Sequence, residues 1–152
     1  MNTFLLTWSP LLFAWEDLPA MARKVRRGSR VTDRWSCARG KQIREGDRLF
    51  MLRQGKEPRG LFASGHATSD WYEDANWRGP GYCHYIDLCY DVLSPHVLLP
   101  REALVSGKLA AMQWDTRVSG IRIPGAIARE LENKWGHLEL FSRAGNPRRP
   151  RR

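Results

Sequence analysis

The chain has no apolar stretch approaching the roughly 18 residues that a membrane-spanning helix requires, so no segment reads as transmembrane. Cysteine is scarce and odd in number. Cys37, Cys83 and Cys89 imply no disulfide framework, and they do not form the closely spaced pairs of a four-ligand zinc site. Buried, neutral thiols are the expectation. No glycine-rich phosphate loop and no Ser-His-Asp arrangement is present. Asp87 and Asp91 share a strand face but stand about 13 Å apart at roughly 3.3 Å per residue, too far to share a metal ion. Asp70, Glu73 and Asp74 crowd one loop without a matching His or Lys and read as a solvated turn. Catalysis therefore has no support in the sequence, and neither a metal nor a cofactor is expected.

Negative charge is also in short supply: 16 acidic residues face 25 lysines and arginines, for a net charge of +9. Such an excess says more about partners than about fold. Part of it is local, in the tail RAGNPRRPRR, which has Pro, Gly and no apolar period; a disordered basic arm is expected over 142–152. The body stays basic without it. No amphipathic basic helix accompanies the tail, which favours nucleic acid over membrane as the polyanion.

At 152 residues the chain fits one domain, since domains run to about 100–200 residues, and that domain is placed at 1–141. The start MNTFLLTWSPLLFAW is apolar, but it has no basic residue before its apolar part and no small-residue cleavage pattern. A signal peptide is not expected, and a reducing, cytoplasmic setting fits.

Strands outnumber helices. Phe4–Trp8 reads as a first strand stopped by Ser9-Pro10. Asp17 and Pro19 open a short helix that Gly28 closes, with Leu18, Ala22 and Val25 inward. Gly46-Asp47 is a turn, Leu49–Leu52 an apolar run too short for a helix. After the Gly55–Gly60 turn, Leu61, Ala63, Gly65 and Ala67 alternate with Phe62, Ser64, His66 and Thr68. The pattern predicts a strand pair over 48–53 and 60–68, the second half-buried. A loop rich in aromatics and glycine follows at 70–82, then a strand over 85–92. Pro100 opens a short helix ending at Gly107, residues 119–123 form a last strand, and Pro124 starts a final helix. Ile127, Leu131 and Trp135 form its buried stripe and Gly136 its cap.

The seven tryptophans are not equivalent. Trp135 belongs to the core, while Trp8 and Trp114 suit either core or pocket wall. Trp35, Trp71 and Trp77 have polar neighbours, which leaves two readings open: rings covering the sheet ends, or rings half-exposed over a flat ligand. Arg34, Arg39, Lys41, Arg44, Arg53, Lys56, Arg59 and Arg78 are interleaved with these rings. Stacking on a base contributes about 1–3 kcal/mol, and the interleaved cations suit phosphates.

The order of these pieces resembles the EVE domain of the PUA-like superfamily, which includes the YTH readers of N6-methyladenine. FLLTWSP is similar to that family's first strand, RWSC to its Trp-containing loop, and GDRLFMLRQGKEPRGLFASGHATS to its Gly-Asp strand pair. DWYED, YIDLCYDVLSP and LLPREAL follow in family order, so the resemblance spans residues 3–137. WDTRVSGIRIP resembles EVE modules fused to HNH nucleases that restrict modified DNA. The resemblance implies an α+β fold, a mixed sheet curled into a partial barrel with peripheral helices. It also implies a pocket for one flipped, modified base, a modified cytosine in DNA on the nuclease-fused branch. Trp35 then matches the cage Trp, Ser36 its polar neighbour, and Trp71 or Trp77 the opposing ring. Trp8, Ser9 and Pro10 match the pocket edge, and Thr116, Ser119 and Gly120 the late loop. No HNH segment follows residue 140, so cleavage is not inherited; the chain is a stand-alone reader or a domain of a larger nuclease, and a nuclease is the implied partner. Two rivals remain: an RNA-binding PUA-like module for modified RNA, and a Trp-rich protein-interaction module.

Overall fold

The computed structural model describes residues 1–38 and 40–144. Arg39 and the tail beyond Ala144 lie outside the described residues. The strands are β1 (Thr3–Trp8), β2 (Thr32–Ser36), β3 (Arg48–Arg53), β4 (Gly60–Ala67), β5 (Tyr72–Ala75), β6 (Tyr82–Leu93), β7 (Leu99–Pro100) and β8 (Ile121–Ile123). The helices are α1 (Leu18–Arg26), α2 (Arg101–Leu104) and α3 (Gly125–Ala144), with a 3-10 turn at Gly107–Ala111. One mixed sheet runs β2-β6-β4-β3-β1-β8, with β5 added to β6 and β7 to β4. The β1–β3 pair is parallel and the other pairs are antiparallel. Among the described residues no helix is long and apolar enough to cross a membrane.

Alternation along the strands sorts the core onto the two faces of this sheet. Phe4, Leu6, Trp8, Leu49 and Met51 point to the face that carries α1, where Leu18 and Ala22 complete the packing. Leu5, Phe50 and Leu52 point to the other, against Leu131 and Trp135 of α3. Because both faces are covered, β4 is buried everywhere except at His66, not half-buried as its alternation suggests. Arg48, like its neighbour Asp47, is a buried charged residue. Its guanidinium bonds Asp91 at 2.6 Å and Glu132 at 2.7 Å, as a buried cation must.

The sheet curls until its edges meet. The β1–β8 ladder covers only Thr3–Leu5, so one side of β1 has no strand partner beyond Leu5. Side chains take over there: the Thr7 amide donates to Ser119 Oγ at 3.1 Å. The Thr7 carbonyl accepts from the Trp35 indole of β2, the opposite edge strand, at 2.9 Å. Gly120, at φ +85°, lies against the backbone of Gly40. Only glycine allows both that φ and that approach.

Four further expectations are corrected. Trp35 lies on strand β2, not on a loop, and Tyr72–Ala75 is a strand within the expected loop 70–82; both pair with β6, whose ladder supplies the order that their polar sequences do not. Gly136 does not cap α3, which continues to Ala144. Leu138 keeps the apolar stripe against the core, which outweighs the roughly 1 kcal/mol cost of a mid-helix glycine. The thiols are not uniformly buried either: Cys37 is, and burial pushes it up to about 12, but Cys83 and Cys89 are half-buried.

Candidate nucleic-acid interface

Where the curled edges meet, a cleft of about 510 Å³ opens between β2, the turn after β1, the β5–β6 turn and the segment before β8. Strand β2 delivers its central ring. Pairing of Trp35 with Ile86 of β6 sets the position along the edge, and the bond to the Thr7 carbonyl sets the rotamer. Trp15 packs behind it at 5.0 Å between ring centroids, tilted by 35°. The Phe13 ring meets Trp35 edge-on at 6.0 Å and Trp77 at 6.1 Å. Trp77, on the β5–β6 turn, is 44% exposed, and the Arg78 guanidinium lies 5.6 Å from its ring. Trp8 is both core and wall: it is buried in the first core and also lines the cleft.

The polar lining is equally specific. Tyr85 donates its hydroxyl to the Ala75 carbonyl at 2.6 Å, and burial raises its phenol above the ordinary value. Arg34 lies 4.0 Å over the Tyr85 ring and bonds Asp74 at 2.8 Å. Ser119 Oγ already accepts the Thr7 amide, so its own proton is free to be donated. Among the described residues the charged groups lining the cleft are Arg34, Arg78 and Arg117, with no carboxylate and no histidine. No group of three His, Cys, Asp or Glu among the described residues is placed to hold a metal ion.

Of the residues singled out in the sequence, the cleft brings together Trp8, Ser9, Trp35, Ser36, Trp77, Ser119, Arg34 and Arg78. The others fall elsewhere. Trp71 packs edge-on against His84 at 5.1 Å and against the first core, outside the cleft, which leaves Trp77 as the one of the two that lines the cleft with Trp35. Pro10 shapes the turn after β1 without lining the cleft, and Gly120 is spent on the seam. Thr116 lies in a neighbouring hollow with Arg53 and Arg59. There Arg59 is tied to Glu57 at 2.7 Å and to Asp115 at 3.6 Å. Arg53 lies 5.4 Å over Trp8. Lys41 and Lys56 are exposed on loops beside the cleft, and Arg39 is outside the described residues. Phe13, Trp15, Tyr85 and Arg117 were not singled out. The run LLFAW gave a signal for the first two, an apolar stretch continuing past Pro10, but only the fold shows it returning under Trp35.

No protein-family model and no curated protein matches the sequence. Solved structures do match. A hypothetical protein from Leishmania major superposes with a TM-score of 0.64 at 14% identity, over 91% of this chain and 97% of that one. Human THYN1 in complex with 5-methylcytosine-containing DNA gives 0.62 at 15% identity, over 88% and 97%. The DUF55 domain of human thymocyte nuclear protein 1 gives 0.60 at 16%, over 91% and 99%. Identity at this level speaks for the fold alone, and on that the match over nearly the whole length is plain: the chain has the PUA-like fold of the EVE/DUF55 domains.

Proposed function

We propose that the protein is a non-catalytic reader of modified nucleic acid that accepts one flipped base, a modified cytosine in DNA, in the Trp35 cleft. The observation that carries this reading is the cleft's composition among the described residues: aromatic rings from three separate segments, three arginines, and no carboxylate. Flat rings suit a base and arginines suit the phosphates around it, whereas a carboxylate would repel the backbone. Extruding a base costs a few kcal/mol. Stacking on Trp35 offsets about 1–3 kcal/mol of that, and hydrogen bonds to the base edge supply the rest. Ser36 and Gln54 line the cleft, and neither side chain makes a hydrogen bond among the described residues. With the spare Ser119 proton they are the groups assigned to the edge. The THYN1 structure with 5-methylcytosine DNA supports the choice of modified cytosine in DNA over modified RNA.

The test is a binding series on DNA and RNA oligonucleotides, paired and unpaired, carrying cytosine or 5-methylcytosine at fixed salt. Tighter binding to methylated DNA than to its plain counterpart is expected. The log–log salt dependence on duplex should have a slope of about −0.9 per phosphate neutralised, hence about −2.7 or steeper from the three cleft arginines. Equal binding of all oligonucleotides would refute the reader. Preference for RNA would transfer the reading to an RNA module, and salt-independent or absent binding would leave the protein-interaction rival.

A further inference from the structure

The turn between β1 and Trp15 holds two neighbouring leucines out into water. Leu11 is 69% exposed and Leu12 59% exposed. Their setting is rigid. The amides of Leu12 and Phe13 both donate to the Ser9 carbonyl, at 3.0 and 3.1 Å, and the Trp8 indole donates to the Phe13 carbonyl at 3.0 Å. Pro10 fixes one further backbone angle. These two leucines are therefore held out into water by a pinned turn. Leu12 lines the cleft, while Leu11 lies near Gly55 on the β3–β4 turn, which also carries the exposed Lys56. Arg34, Arg78 and Arg117 line the same cleft.

We infer that Leu11, with Leu12 at its base, is a wedge that enters the base stack of duplex DNA and fills the gap left by the base drawn into the cleft. This rests on the reader function proposed above. The chemistry is consistent at each point. A flipped base leaves an apolar slot the thickness of one ring, bordered by phosphates. The tip is apolar, and the cleft beside it, which Leu12 lines, carries three arginines. Apolar side chains inserted at a base step are a recurrent means of holding a duplex unstacked. An anionic membrane would also meet an apolar tip beside cations, but it has no use for the flat-ring cleft that the same turn borders.

The wedge matters only where a stack must be opened. Leu11→Ser, on an exposed tip, leaves the fold intact, and its melting curve checks this. Affinity for a duplex with one paired 5-methylcytosine is expected to fall roughly tenfold or more. The same base in a single strand, or opposite an abasic site, should bind within about twofold of wild type, because no partner base has to be displaced. Leu11→Phe should restore duplex binding. Equal losses on paired and unpaired DNA, or no loss on either, would overturn the wedge while leaving the cleft reading in place. Absence of any methyl preference in the wild-type protein would instead overturn the reader itself. Binding of the wild type to vesicles of anionic phospholipid that Leu11→Ser abolishes, with duplex binding unaltered, would reassign the tip to a membrane surface.

Discussion

Trp35→Ala tests the cleft most directly, and the structure shows why it must be measured in two ways. Trp35 is half-buried, leaning on Trp15 and Phe13 and bonded to the Thr7 carbonyl. A fully buried Trp truncated to Ala costs about 3–5 kcal/mol. Half that, with about 1 kcal/mol for the lost hydrogen bond, gives an expected destabilisation of about 2.5–3.5 kcal/mol. In a domain of this size each kcal/mol moves the midpoint by roughly 2–4 °C, so melting should fall by about 5–14 °C and the protein should remain folded at 20 °C. Binding at that temperature then reports the cleft alone. Loss of one stacking face should cost about 1–3 kcal/mol on methylated DNA and little on plain duplex, so discrimination collapses. Trp135→Ala is the control. Its ring is buried against Phe50 and bonded to Ser64, so it should lose the full 3–5 kcal/mol or so of a core cavity while discrimination persists in whatever fraction stays folded. A folded Trp35→Ala protein that still prefers the methylated strand would refute the assignment.

The other expectations concern the opposing ring and the seam. Trp77→Ala should weaken methylated-DNA binding with a smaller change in melting than Trp35→Ala, because its ring is 44% exposed and meets Phe13 only edge-on. Trp71→Ala should lower stability and leave the methylated-to-plain ratio unchanged; a reversal of the two would exchange their roles. Gly120→Ala places a Cβ 2.5 Å from the Gly40 nitrogen on a backbone whose φ of +85° alone costs a non-glycine residue about 1–3 kcal/mol. Urea titration should therefore show at least that loss, and a variant within about 0.5 kcal/mol of wild type would mean that the seam is not closely packed.

Much of this was legible in the sequence because the central strands obey simple rules. RLFMLR and GLFASGHA lie deep in the sheet and show it in their apolar content. Both were placed to within a residue of their ends. TDRWS and YEDA were not, because an edge strand bordering a cleft has nothing to alternate against; their order comes from β6, a distant partner. The same physics limited the site. Polar flanks marked Trp35, Trp71 and Trp77 as candidates, but nothing local distinguishes a Trp that seals against His84 from one that lines the cleft with Trp35. Trp15 escaped notice because its role is to support another ring, and support is a tertiary relation with no local pattern. Arg117 escaped because a lone arginine between Thr116 and Val118 gains meaning only when β8 carries it back to the mouth of the cleft.

The Trp35 indole has two employments. The ring that would receive a base is also one of the few rivets joining the two sheet edges, since its N–H holds the Thr7 carbonyl. Cleft and seam thereby share one side chain. A ladder-closed barrel would insulate its wall from its ligand. Here that joint is made of side chains, the Trp35 indole on the Thr7 carbonyl and the Ser119 hydroxyl on the Thr7 amide, and not of a strand ladder.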